Sequence, residues 1–217
     1  VLFLPSGHLN IPAGIRTLSN GLFREEAEKA LEANSYHSGF YFTPSVRNDS
    51  LYAMKDAKSP QSSSTFQGLT NTVSLFIEIR GIGLGRACFA RRAECGFLVS
   101  RSLLETAALH SKEVRSEIRK AVKETCSGKS DISVTFQPAR TELPVTFIDL
   151  VKNERFTEPL PTFDALQLKA ELVRKRPKAY ILPDTCRMQA EKLRALGIEV
   201  EEIGNPFTAT VEKYIVT

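Results

Sequence analysis

The chain is expected to adopt an α/β fold, on three observations. Residues 72–80 alternate with period two, as a strand does. Helix-like periodicity precedes and follows that run, and a stretch of short β-rich runs closes the chain. With 217 residues, 42% of them hydrophobic, there is material for one good core, or for a core and a small satellite. The division expected is a larger α/β part over residues 1–125 and a small α+β module over residues 126–217.

The opening residues 1–4 form a short apolar segment, followed by a Ser-Gly turn. Pro12 suits the first turn of a helix, and Ile15, Leu18, Leu22, Ala27, Ala30 and Leu31 draw an apolar stripe that predicts a helix over residues 12–33. A strand is expected at residues 39–43. Residues 44–67, rich in Ser, Asp, Lys and Pro, read as a long polar loop of the kind that forms lids and binding rims.

Along residues 72–80 the alternation sends Val73, Leu75, Ile77 and Ile79 to one face and Ser74, Phe76, Glu78 and Arg80 to the other. A run this apolar predicts an interior strand. Its C-terminal end carries a carboxylate, and a buried charge must be paired, neutralised or used. Glu78 is therefore a candidate general base. The plainer alternatives are a structural ion pair with Arg80 or a carboxylate that anchors loop backbone.

Beyond Glu78, Gly81, Gly83 and Gly85 form a GxGxG turn ahead of a helix whose apolar positions are Phe89, Ala93, Gly96, Leu103, Leu104, Ala107 and Ala108. Strand, glycine turn and helix in that order invite a phosphate-binding reading. The spacing is not GxGxxG, however, and no second half of a dinucleotide site follows. A tight backbone turn beside a pocket is the simpler account.

A polar linker at residues 124–131 leads to short strands expected at 132–136, 145–151 and 178–182. Pro183 and Asp184 open a helix ending at Gly197, and closing strands are expected at 198–203 and 210–216. Lys169, Arg174, Lys175, Arg176 and Lys178 read as solvated surface. The four cysteines, at 88, 95, 126 and 186, lack CxxC spacing and are read as buried thiols, with a Cys126–Cys186 disulfide as the open alternative. Cys88 and Cys95 are expected on one helix face.

A net charge of +4, spread along the chain, does not indicate a nucleic-acid partner. No stretch approaches the about 18 continuous apolar residues of a membrane-spanning helix, so no membrane partner is expected. The chain starts at Val1 rather than Met, which suggests a processed product or a piece of a larger protein.

The run from Asn71 through Glu78 and the glycine turn to Arg91-Arg92 resembles the end of the catalytic domain of zinc carboxypeptidases of the carboxypeptidase A type, in a microbial multidomain branch. Residues 3–33 are similar to the family's segment after its last zinc ligand, and residues 177–183 to an accessory module. The resemblance implies an incomplete mixed-sheet sandwich followed by that module, an extracellular location, and removal of C-terminal residues from peptides with Glu78 as base. It also implies zinc in an intact parent and, as partners, a peptide C-terminus and a missing N-terminal half. It places Tyr52 at the family's mobile tyrosine, while Ser63 and Gln67 are candidates for the substrate side-chain pocket.

The family's metal site is a His-x-x-Glu pair with a later His, all before the catalytic strand. Here the histidines are His8, His37 and His110. His110-Ser-Lys-Glu113 matches the string but follows the strand, on a helix face, and His8 lies just past the place of the last ligand. No metal ligand is assigned to this chain, and by itself it is expected to be inactive. The competing expectation is a noncatalytic carboxypeptidase-like binding or structural module. A fragment and a pseudoenzyme look alike from these residues.

Overall fold

The computed structural model describes residues 1–81 and 83–213. Its described residues divide into two compact units, 1–176 and 177 onward. The first is α/β, built on two mixed sheets.

Strand β1 (Leu2–Pro5) is the centre of the smaller sheet. It pairs in parallel with β2 (Gly39–Phe40) and antiparallel with β5 (Leu75–Glu78), with Leu2 opposite Glu78 and Pro5 opposite Leu75. Between β1 and β2 runs a nearly continuous helix: α1 (Ala13–Leu18), a π-helical turn (Ser19–Phe23) and α2 (Arg24–Glu32). The π turn inserts one residue, so the buried stripe passes from Leu18 to Phe23 and on to Ala27 and Leu31. Straight α-helical spacing put Leu22 in that stripe, where it is only half buried.

Residues 44–67 are not a structureless loop. They contain β3 (Thr43–Arg47), β4 (Ser50–Lys55) and helix α3 (Ser63–Leu69). Asn48 and Asp49 both take positive φ, 50° and 57°, which is how a two-residue turn matches the twist of a hairpin. The polar composition reflects a hairpin with one face in solvent.

Strand β5 pairs only with β1 among the described residues, so it is an edge of this sheet rather than an interior strand. Its apolar character comes from burial on both faces. Leu75, Ile77 and Ile79 pack on a core of Phe3, Ala27, Leu31, Cys95 and Val99, while Phe76 packs on the cluster of Leu4, Ala57 and Ala165. Helix α4 (Phe89–Leu109) covers the first core through Cys95, Val99, Ser102 and Thr106. Phe89, Phe97 and Leu104 are exposed instead. Helix α5 (Ser111–Cys126) closes a third cluster, Ala121 on Ile11 and Ile15.

The larger sheet has the order β3-β4-β7-β6. In place of short strands at 132–136 and 145–151 there is one long hairpin, β6 (Ile132–Asp149) and β7 (Glu154–Arg174). Pro138, Pro144, Pro159 and Pro161 lie within it, and all have an open edge available. β6 is the outer strand, and β7 meets β4 only from Thr162 to Asp164. A proline's missing donor costs little where no neighbour needs it.

In the second unit, a short 3₁₀ turn (Asp184–Cys186) leads into α6 (Arg187–Ala195), with Gly197 at a φ of 79° after it. Residues 178–182 and 198–203 are not strands. The expected strand at 210–216 falls partly outside the described residues. All four thiols are free: Cys88 and Cys126 are exposed, Cys186 is half buried and only Cys95 is buried. Cys88 has a left-handed backbone ahead of α4, so it does not share the helix face of Cys95. No described helix is long and apolar enough to cross a membrane.

Candidate functional site

Glu78 ends β5 half buried, on the wall of a cleft of about 310 Å³ lined by Val1, Leu2, Glu78, Arg80 and Gly81. The strand hydrogen bonds to β1 fix its backbone, and Ile77 and Ile79 anchor it from the opposite face. Among the described residues its carboxylate has no hydrogen-bond or ion-pair partner, so the structural pair with Arg80 is not formed. A half-buried carboxylate open to a cleft is free to accept a proton from a bound water.

The glycines after it serve the backbone. Gly83 and Gly85 take positive φ, 76° and 50°, which side chains disfavour. Helix α4 begins only at Phe89, so the glycine turn does not lead directly into a helix N-terminus. Arg92, which the sequence did not single out, donates from Nη2 to the Gly85 carbonyl at 2.6 Å.

The other sequence candidates lie elsewhere. Ser63 and Gln67 are on α3, whose neighbour Ser64 accepts a hydrogen bond from Ser74 and whose Thr65 bonds Ser6. That is just ahead of β5, four residues or about 13 Å of extended chain from Glu78. Tyr52 sits on β4 in the other sheet, its ring edge-on to Phe163 at 5.4 Å.

The histidines are dispersed. His8 is buried, its Nδ1 accepting the Asn10 amide at 3.2 Å and its ring edge-on to Phe136 at 4.7 Å. Burial, reinforced by the Arg16 charge, pulls its pKa below the ordinary value. His110 faces Glu113 at 3.2 Å on exposed helix surface, and His37 is exposed, its carbonyl accepting the Val1 amine at 2.9 Å. Among the described residues no three His, Cys, Asp or Glu side chains gather to hold a metal. A catalytic zinc typically needs three protein ligands, so this donor set does not fit one.

No family model matches the chain, and no solved structure does. It is similar over its entire length to the probable carboxypeptidase 2 of Arthroderma benhamiae, 28% identical over 220 residues that make up 41% of that protein. The probable carboxypeptidase 2 of Trichophyton verrucosum is 28% identical over 42% of its length, and the carboxypeptidase 2 of Trichophyton equinum 27% identical over 40%. The chain thus spans about 40% of the length of these curated relatives, and all of it is homologous to proteins named carboxypeptidases.

Proposed function

We propose that this chain is part of a carboxypeptidase-like protein that removes C-terminal residues from peptides, with Glu78 as general base. The observation that supports it best is the half-buried Glu78 carboxylate on a cleft wall, without a partner among the described residues. Homology to named carboxypeptidases along the whole chain points the same way. In this reading Glu78 takes a proton from the attacking water and returns it to the leaving amine, each transfer needing the carboxylate within hydrogen-bond reach. Any zinc of the A-type reaction would be held by ligands outside this chain, in the remainder that the relatives' length allows for. Tyr52, Ser63 and Gln67 would contact substrate only if that remainder brings the peptide across both sheets.

The test is Glu78→Gln in the longest natural protein that carries this chain. Release of C-terminal residues should fall about 100-fold or more, the lower bound for losing an acid–base group, with the fold unchanged. Near-normal hydrolysis would sink the assignment. The second reading, a noncatalytic carboxypeptidase-like module, is favoured by the lack of a metal cluster among the described residues. It predicts no hydrolysis by the wild-type protein.

A further inference from the structure

We propose that Arg92 is a positioning residue for Glu78, clamping the turn that follows the carboxylate onto helix α4. The assignment rests on the reading of Glu78 as the base. Arg92 Nη2 donates to the Gly85 carbonyl at 2.6 Å, and Nη1 lies against Gly81, where an added methyl carbon would stand 3.1 Å from it. One guanidinium therefore bonds the last glycine of the turn and lies beside the first.

Its Nε is enclosed and has no hydrogen-bond partner among the described residues. A buried donor left unpaired is unfavourable, so the side chain is not placed to satisfy its own hydrogen bonding. Its guanidinium reaches the turn at Gly85 and also lies over the Phe89 ring, 5.8 Å from the ring centroid.

The same helix also grips the strand one residue after Glu78. Gly96 admits Ile79, whose Cδ1 would lie 3.7 Å from a methyl carbon there, and Ile79 packs on the core formed with Cys95 and Val99. Glu78 is thus followed by two anchors on α4, an apolar one at Ile79 and a polar one at Gly85. Arg80, between them, is left exposed on the cleft wall. A turn with glycines at positive φ has wide conformational freedom unless tied down, and a base displaced by about 1 Å loses about 100-fold in rate. Lysine could reach the Gly85 carbonyl with its ammonium, but it lacks the planar fork that also covers Gly81.

The experiment compares Arg92→Ala, Arg92→Lys and the exposed control Arg91→Ala in the longest natural protein. It reads amide hydrogen exchange at Gly83 and Gly85, and kcat and KM for C-terminal residue release across pH. Arg92→Ala should speed exchange in the turn at least about tenfold, without loosening the rest of α4, and lower kcat about 10- to 100-fold with KM changed far less. The acid limb of the pH profile should move with it, Arg92→Lys should recover part of kcat, and Arg91→Ala should match the wild type. An active wild type whose kcat and pH profile are indifferent to Arg92→Ala overturns the clamp while Glu78 stands. Absence of hydrolysis by the wild type overturns the proposed function and the positioning role together, and exchange at Gly83 and Gly85 unaltered by Arg92→Ala overturns the clamp itself.

Discussion

Glu78, at the end of β5, and His8, in the loop after β1, illustrate opposite fates of a titratable residue. Glu78 keeps an open side and, among the described residues, no partner, whereas His8 is folded into the protein with its acceptor nitrogen on the Asn10 amide. Burial and Arg16 lower the His8 pKa from 6.5, so the folded state resists the proton that the unfolded chain accepts. The stability held by neutral His8 is present above the unfolded value and is lost as pH falls from there toward the lower folded value. Urea midpoints should therefore drop as the pH falls below about 6.5. His8→Asn, which keeps an acceptor for Asn10, should flatten that drop, and an equally steep drop in the variant would refute this account. The placement of Glu78 was legible in the sequence as a carboxylate at the end of an apolar run. The contact of Arg92 with Gly85 was not, because nothing in a helix's spacing says that its first turn reaches back over a preceding loop.

At the scale of elements, the join between the hairpins is held by an enclosed pair. Lys55 Nζ lies 3.1 Å from Asp164 Oδ2, both side chains under a tenth exposed, and the ammonium sits 4.6 Å over the Phe40 ring. Asp164 Oδ1 also accepts the Leu166 amide at 3.0 Å. Removing one partner leaves a buried charge, so Asp164→Asn or Lys55→Met should each cost about 3–5 kcal/mol, and the apolar double replacement much less. A double-mutant cycle in denaturant measures this, and additive losses would mean the pair is not coupled. Where β1 runs out, Gly7 passes so close to β7 that a methyl carbon would fall 1.9 Å from the Ala165 carbonyl oxygen, whereas Gly21 faces open space. Gly7→Ala should destabilise by about 1–3 kcal/mol or more through the backbone shift it forces. Gly21→Ala, in a helical segment, should stabilise by about 0.5–1 kcal/mol. Thermal midpoints moving in the same direction would contradict this placement.

At the scale of the molecule, the chain matches about 40% of its relatives' length, and its described residues gather no metal-ligand cluster. The 217-residue chain produced alone should neither hydrolyse peptides nor retain stoichiometric zinc. The longest natural protein carrying it should do both. Side-by-side metal analysis and peptide hydrolysis decide the matter, and zinc retained by the short chain would place ligands among His8, His37 and His110 after all.

Local chemistry was enough to mark the α/β class, the helix opening at Pro12, strand β5 with its terminal carboxylate, and the glycine turn after it. Each is written in neighbouring residues as a period, a cap or a backbone need. Tertiary structure decided that β5 is an edge, that residues 44–67 fold into a hairpin and a helix, and that prolines sit within one long β6–β7 hairpin. It also turned Ser102 and Thr106 of α4 inward and left Phe97 and Leu104 in solvent. Those outcomes depend on which distant segment supplies the neighbour. A strand's apolar faces look the same whether its edge is paired or open, and a helix carrying two apolar stripes buries the one the sheet reaches.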